Sequence, residues 1–246
     1  MTESPTLPVE FSPLDENRFG VRTARAMNLT AHLLPQVMDF CHQHEVQFLI
    51  TRCSTKDLSA VQAMQRNGFL LMDTMVYFRY DLMCTAVPER RDVDIRFVQG
   101  DDTEIVSRIA SQAFHEYDGH YHADPRLNRS SCDDLYVDWA LRSCTQKDLA
   151  DEVLVAKLDD EVVGFLTIKL LKNQEADGRL FAVLPQAHGR GIGQALLIEA
   201  LHWSKLHGLN AMVISTQITN IASQISQVRV GFYPHESFYT FHKWFD

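Results

Sequence analysis

Apolar residues recur along this chain with two periods, and the second half carries both most clearly. Leu196, Leu197, Ala200, Leu201 and Trp203 share one helical face, and Gly208 stands where a left-handed residue ends such a helix. Residues 211–215 (AMVIS) form an apolar run of strand length. Ile221, Ile225 and Val228 then make a second helical face closed by Gly231, and the terminal run SFYTFHKWF alternates as a strand does. Upstream, residues 95–97 begin a strand and DDTEIVSRIASQAFHE follows as a helix. Asp101 and Glu104 form a capping-box pattern there, and Ile105, Val106, Ile109, Ala110, Ala113 and Phe114 supply the apolar stripe. A further helix spans about residues 131–143. VLVAKL, the turn Asp159-Asp160 and VVGFLTIKLL predict a β-hairpin, and GRLFAV is a strand ending near Val183.

The first half echoes the second. A shift of 163 positions places Leu33 and Leu34 on Leu196 and Leu197, Phe40 on Trp203, and His44 on His207. Asp57 falls on Asn220 and Gly68-Phe69 on Gly231-Phe232 under the same shift. Each stretch reads helix, strand, loop, helix, Gly-Phe, strand, so a duplicated α/β half-domain is expected. The charged link PERRD, residues 88–92, sets the expected boundary: a first half-domain over 1–90 and a second domain over 91–246.

Composition narrows the partners. A formal net charge of −9, with no stripe of Lys and Arg, argues against nucleic acid. Five cysteines without a C-x-x-C pair suggest reduced thiols and a cytoplasmic protein. No apolar run reaches the roughly 18–20 residues of a membrane span. The histidines lack metal-ligand spacing, so no metal is expected.

The chemistry concentrates at FAVLPQAHGRGIGQALL, residues 181–197. A strand ends, glycines follow at alternate positions, and a helix begins at once. Successive N–H groups in such a loop converge on one concavity, and the helix adds its positive end. Glycine there lets phosphate oxygens approach the backbone. A flexible strand-to-helix turn is the plainer alternative. No Lys-Ser/Thr follows, so this is not a Walker loop, and a Rossmann loop belongs in an early βαβ unit.

In these surroundings the segment resembles the GCN5-related N-acetyltransferase (GNAT) family, with its strand, (Q/R)-x-x-G-x-(G/A), then helix. Here His188 takes the Gln/Arg position, followed by Gly189, Arg190, Gly191, Ile192 and Gly193; Asn220 and Gly231-Phe232 match further family positions. The resemblance implies a GNAT fold: an α/β architecture with a mixed, mostly antiparallel central sheet flanked by helices, preceded by a smaller GNAT-like half-domain. It also implies acetyl-CoA as co-substrate. Phe181, Ala182 and Val183 would serve the pantetheine arm, and His188 through Gln194 the pyrophosphate, with Asn220 and Gln227 near the cofactor. Residues 25–30, RAMNLT, carry no glycine where the shift would put the loop, so one cofactor per chain is expected.

YDGHYHADPRL…DDLYVDW and LDENRFGV are further similar to segments of the dTDP-fucosamine acetyltransferase group. That likeness implies transfer to the 4-amino group of a nucleotide-linked deoxysugar. The chain departs from the group at Gly119-His120, which replaces Ser-Arg, and at Ser226-Gln227, which replaces Arg-Tyr. The group's tyrosine is its proposed acid for the leaving thiolate, and a carboxamide cannot donate that proton. Candidate bases are Glu116, His120, His122 and Asp124, with histidine favoured by its ordinary pKa. Tyr233 or Tyr239 could protonate the thiolate, and Tyr121 and Asp124 are candidate substrate contacts. Each has a plainer reading: Asp124 as a turn former, the histidines as lining, Tyr239 as core. The expected partner is a small-molecule amine, with a homodimer left open. Another small amine as acceptor, or a non-catalytic acyl-CoA-binding module, are the competing readings.

Overall fold

The structure is a computed structural model that describes residues 7–100, 102–115 and 117–245. In chain order it holds β1 (Val9–Phe11), α1 (Pro13–Phe19), β2 (Thr23–Ala26), α2 (Leu34–Gln43), β3 (Phe48–Ser54), α3 (Leu58–Arg66) and β4 (Leu70–Asp81). Then come β5 (Asp94–Phe97), α4 (Asp102–Ala113), α5 (Arg129–Ser143), β6 (Glu152–Leu158), β7 (Glu161–Leu170) and β8 (Glu175–Val183). A 3-10 turn (Pro185–Ala187), α6 (Ile192–Leu206), β9 (Ala211–Gln217), α7 (Ile221–Val230) and β10 (Tyr233–Trp244) complete the chain. Asp101, half of the expected capping box, lies outside the described residues. Among the described residues no helix is long and apolar enough to cross a membrane.

These elements group into two compact units. The first comprises Met1–Met75, Asp118–Ser131 and Glu236–Asp246; the second comprises Val76–Tyr117 and Cys132–His235. In the first unit β2 runs parallel to β3, and β1 pairs antiparallel with β2. The C-terminal stretch of β10 pairs antiparallel with β3, from Phe238 opposite Ser54 to Trp244 opposite Phe48. Val37, Cys41, Leu49, Met64 and Phe241 are among its fully buried core side chains.

The second unit orders its strands β4-β9-β8-β7-β6-β5. Pairing is antiparallel from β5 through β8 and parallel between β8 and β9. Asp159 and Asp160 both take positive φ, 49° and 65°, as a two-residue hairpin turn between β6 and β7 requires. Leu196, Leu197, Ala200 and Leu201 of α6 are completely buried. Each of the three leucines contributes roughly 1.5–3 kcal/mol relative to exposure.

The 163-residue shift relates the observed elements as well as the sequence. It carries β3 (Phe48–Ser54) onto β9 (Ala211–Gln217) and β4 (Leu70–Asp81) onto β10 (Tyr233–Trp244), end to end. The caps follow: Asp57 accepts from the Ala60 N–H, and Asn220 accepts from the Ser223 N–H. One expectation needs correction. α7 forms, but its apolar stripe of Ile221, Ile225 and Val228 is exposed, while Gln227 and Val230 are buried. Periodicity specified the helix but not which side faces inward.

Candidate acyl-CoA and acid–base sites

β8 and β9 share a register only from Glu175 opposite Ala211 to Gly178 opposite Ile214. Beyond it, after a register shift at residues 179–180, residues 181–183 stay paired with β7 on the other side. The Leu184 N–H donates to Val163 O, which places residue 184 in a hydrogen-bonded pair. By strand alternation, Phe181 and Val183 then turn their N–H and C=O groups toward the β9 side. A splayed sheet edge, on which Val183 O takes His188 Nε2, thus leads into the glycine loop.

In that loop Gly189 and Gly191 hold φ of 76° and 79°, a region open to glycine at little cost. Gly191 is also the N-cap of α6 and supplies no capping side chain. The first bond into the helix is Ala195 N–H to Gly191 O, so the preceding N–H groups have no helical acceptor. Gly193 serves another purpose: a Cβ there would stand 2.9 Å from Phe181 Cζ. His188 is exposed, and its Nε2–H donates to Val183 O at 2.8 Å.

The loop opens into a cavity of about 880 Å³ within the second unit. Its lining includes Phe181, Ala182, Val183, residues 188–194 (His188, Gly189, Arg190, Gly191, Ile192, Gly193 and Gln194) and Asn220. Arg91, Phe114, Tyr117, Ser226 and Arg229, which carry no loop or motif signature, line it too. No described carboxylate does, although the whole chain is acidic. Gln227 is not among the lining residues. It is fully buried, and its Nε2 donates to Ser223 Oγ at 3.0 Å.

The acid–base candidates of the first unit form a buried relay. Asp124 Oδ2 lies 2.8 Å from His242 Nδ1 and 2.9 Å from Trp244 Nε1, while Oδ1 accepts from the Arg126 N–H. His242 Nε2 lies 2.9 Å from His120 Nδ1. Burial raises the Asp124 pKa, but these donors outweigh it and hold the carboxyl below its ordinary value. An ionised carboxylate only accepts, so His242 Nδ1 carries the proton and its Nε2 is the acceptor. His120 Nδ1 is then the donor, leaving Nε2 with a lone pair. Burial first, then the charges of His242, Arg52, Arg25 and His122, lower the His120 pKa well below 6.5 and keep the ring neutral.

Other candidates are placed differently. Tyr121 is buried, and its hydroxyl donates to Asp15 Oδ1 at 2.8 Å. Asp15 also takes Arg25 Nε at 2.6 Å and Ser12 Oγ at 2.5 Å. His122 Nδ1 accepts from the Gly119 N–H at 3.2 Å. Tyr239 packs against the first unit's core opposite Cys53. Tyr233, at the start of β10, is exposed. Glu116 lies outside the described residues. Among the described residues, no group of three or more His, Cys, Asp or Glu is placed to hold a metal ion.

The pattern of the Acetyltransferase (GNAT) family matches residues 109–233, just over half of the chain, with the glycine loop inside the match. The chain belongs to the GNAT family. It is accordingly an acyltransferase, of a family that uses acetyl-CoA as its general donor. This GNAT chain is similar to the spore coat polysaccharide biosynthesis protein SpsD of Bacillus subtilis, 25% identical over 81% of the chain and 68% of that protein. It is also similar to the mycothiol acetyltransferase of Streptomyces griseus, 32% identical over 38% of the chain and 34% of the relative. In fold it resembles a GCN5-related N-acetyltransferase from Sphaerobacter thermophilus, with a TM-score of 0.66 at 16% identity. That match covers 96% of this chain and 76% of the other. A tandem GNAT protein from the clavulanic acid biosynthesis pathway aligns with a TM-score of 0.64 at 12% identity, over 92% and 76%. Such an arrangement agrees with the expected GNAT fold and its preceding half-domain.

Proposed function

We propose that this GNAT enzyme transfers an acetyl group from acetyl-CoA to a primary amine of a small molecule, with a 4-amino-deoxysugar nucleotide as acceptor. The observation that carries the acyl-CoA reading is the glycine loop, whose N–H groups, without a backbone acceptor among the described residues, head α6 and line a cavity without a described carboxylate. Several hydrogen bonds to a charged phosphate, each contributing roughly 1.5–3 kcal/mol, can hold a pyrophosphate despite the acidic chain. The turned-out backbone of Phe181 and Val183 suits the amide-bearing pantetheine arm. The sugar acceptor draws support from the segment around Tyr121 and Asp124, and from a relative named for polysaccharide synthesis.

The reaction requires the acceptor's ammonium to lose a proton before its nitrogen lone pair attacks the thioester carbonyl carbon. The first unit carries a relay of this acid–base kind, in which Asp124 and His242 orient His120 and leave its Nε2 lone pair as a proton acceptor. The carbon–sulfur bond then breaks, and the thiolate takes a proton from solvent or from Tyr233. The test is free-thiol release from acetyl-CoA across a panel of amines that includes 4-amino-deoxysugar nucleotides. Turnover confined to other amines would overturn the sugar assignment, and failure to bind acetyl-CoA would overturn the donor.

A further inference from the structure

The segment joining β4 to β5 is fastened to α6 at three points. His202 Nε2–H donates to Pro88 O at 2.9 Å. Arg90 grips Glu199 through Nε–Oε2 at 2.6 Å and Nη2–Oε1 at 3.1 Å. Arg91 Nη2 donates to Gln194 Oε1. As the segment advances from 88 to 91, its partners step back from 202 through 199 to 194, so it runs antiparallel to α6 toward the helix N-terminus. There Arg91 Nη1 stands 2.9 Å from where a Cβ on Gly191 would be.

We propose that Arg91 is a phosphate ligand of the acyl-CoA site, placed by this strap against the face of the loop that the backbone N–H groups leave open. The inference rests on the acyl-CoA reading above. Arg91 lines the same cavity as the glycine loop, and no described carboxylate lining that cavity competes for it. Its present acceptor is a neutral carboxamide. A pyrophosphate oxygen is a charged acceptor, for which hydrogen bonds are roughly twice as strong, and its geometry suits the planar guanidinium fork. Arg90 is already committed to a bidentate carboxylate, so the two adjacent arginines divide the work. One anchors the strap and the other meets the ligand.

The experiment is calorimetric titration of the full chain with acetyl-CoA and with 3′-dephospho-acetyl-CoA, for wild type, Arg91→Gln and Arg91→Lys. Arg91→Gln is expected to weaken both ligands about tenfold or more, as loss of one charge-assisted bond implies. Arg91→Lys should recover part of that, because a point charge remains without the fork. Arg91 is exposed, so circular dichroism should match wild type in both variants. Tight wild-type binding with an unchanged Arg91→Gln constant would overturn the role of Arg91. A loss seen for acetyl-CoA but not for its 3′-dephospho form would overturn the pyrophosphate as its target. No wild-type binding at all would overturn the acyl-CoA reading instead.

Discussion

Nδ1 of His242 lies 2.8 Å from Oδ2 of Asp124, and the direction of that one hydrogen bond fixes the protonation of a second imidazole. Because the carboxylate only accepts, the order of donors runs outward from Asp124 through His242 to His120. Phe48 holds the His242 ring edge-on at 4.8 Å between centroids and stacks on Trp244 at 4.4 Å. The packing therefore sets the angle at which both β10 side chains reach Asp124. Asp124 is at once the turn former suggested by Asp-Pro and the end of the relay.

Replacing His242 by Phe keeps an aromatic ring against Phe48 but breaks the relay on both sides. The free His120 ring then samples both tautomers. Thiol release is expected to fall about 10- to 100-fold in kcat, at or below the roughly 10²–10⁴-fold of general base catalysis because His120 itself remains, with acetyl-CoA affinity unchanged. Nitrogen-15 spectra of the histidine rings would report the His120 tautomer directly. An unchanged kcat with a visibly altered tautomer would remove His242 as a positioning residue.

The same network makes the fold sensitive to acid. Burial lowers the pKa values of His120 and His242 below the ordinary 6.5, the latter partly offset by Asp124. From about pH 6.5 downward the unfolded chain binds protons that these folded rings do not, so stability falls as pH falls. Asp15 is held below 3.8: burial opposes its charge, but Arg25, Ser12 and Tyr121 outweigh burial. Asp124 is lowered likewise by His242 and Trp244. Their contribution is complete above 3.8 and is lost as pH falls through the depressed values. Urea midpoints should therefore decline already between pH 7 and 5, and less so in His120→Phe. A flat wild-type profile across that interval would contradict the buried, neutral relay.

Much of this was legible where a backbone requirement dictates residue type. Gly189 and Gly191 need positive φ, Asp57 and Asn220 must cap, and the paired strands repeat at one spacing. Partner choice was not legible. Alternation in SFYTFHKWF predicts a strand but cannot say that its last residues complete the first unit beside β3. His242 consequently read as one polar position in an apolar run, and Arg91 as a charge in a link. The exposed side of α7 escaped for a similar reason: Ile225 is 45% exposed and Gln227 is fully buried.

Gly191→Val tests the loop itself. A β-branched residue at φ 79° suffers steric cost of roughly 1–2 kcal/mol, and its Cβ would also displace the Arg91 guanidinium. The protein should stay folded with a modestly lower midpoint, and acetyl-CoA binding should be lost. Retained affinity in the folded variant would show that the loop does not carry the pyrophosphate.

Gln227 occupies the position of the related group's tyrosine, but its surroundings assign it to the interior. The carboxamide is fully buried, its Nε2 reaches Ser223 Oγ, and its Oε1 has no hydrogen-bond partner among the described residues. An unmet buried acceptor costs roughly 1–3 kcal/mol, whereas methionine fills a similar volume without a polar group needing a partner. Gln227→Met should therefore be neutral or raise stability by up to about 1 kcal/mol, the loss of the Ser223 contact offsetting part of the gain. Thiol release should remain at the wild-type rate. Urea denaturation and steady-state kinetics on the same preparation decide the matter. A lower midpoint would mean that Oε1 is satisfied by ordered water, and a lower kcat at unchanged stability would return Gln227 to the reaction.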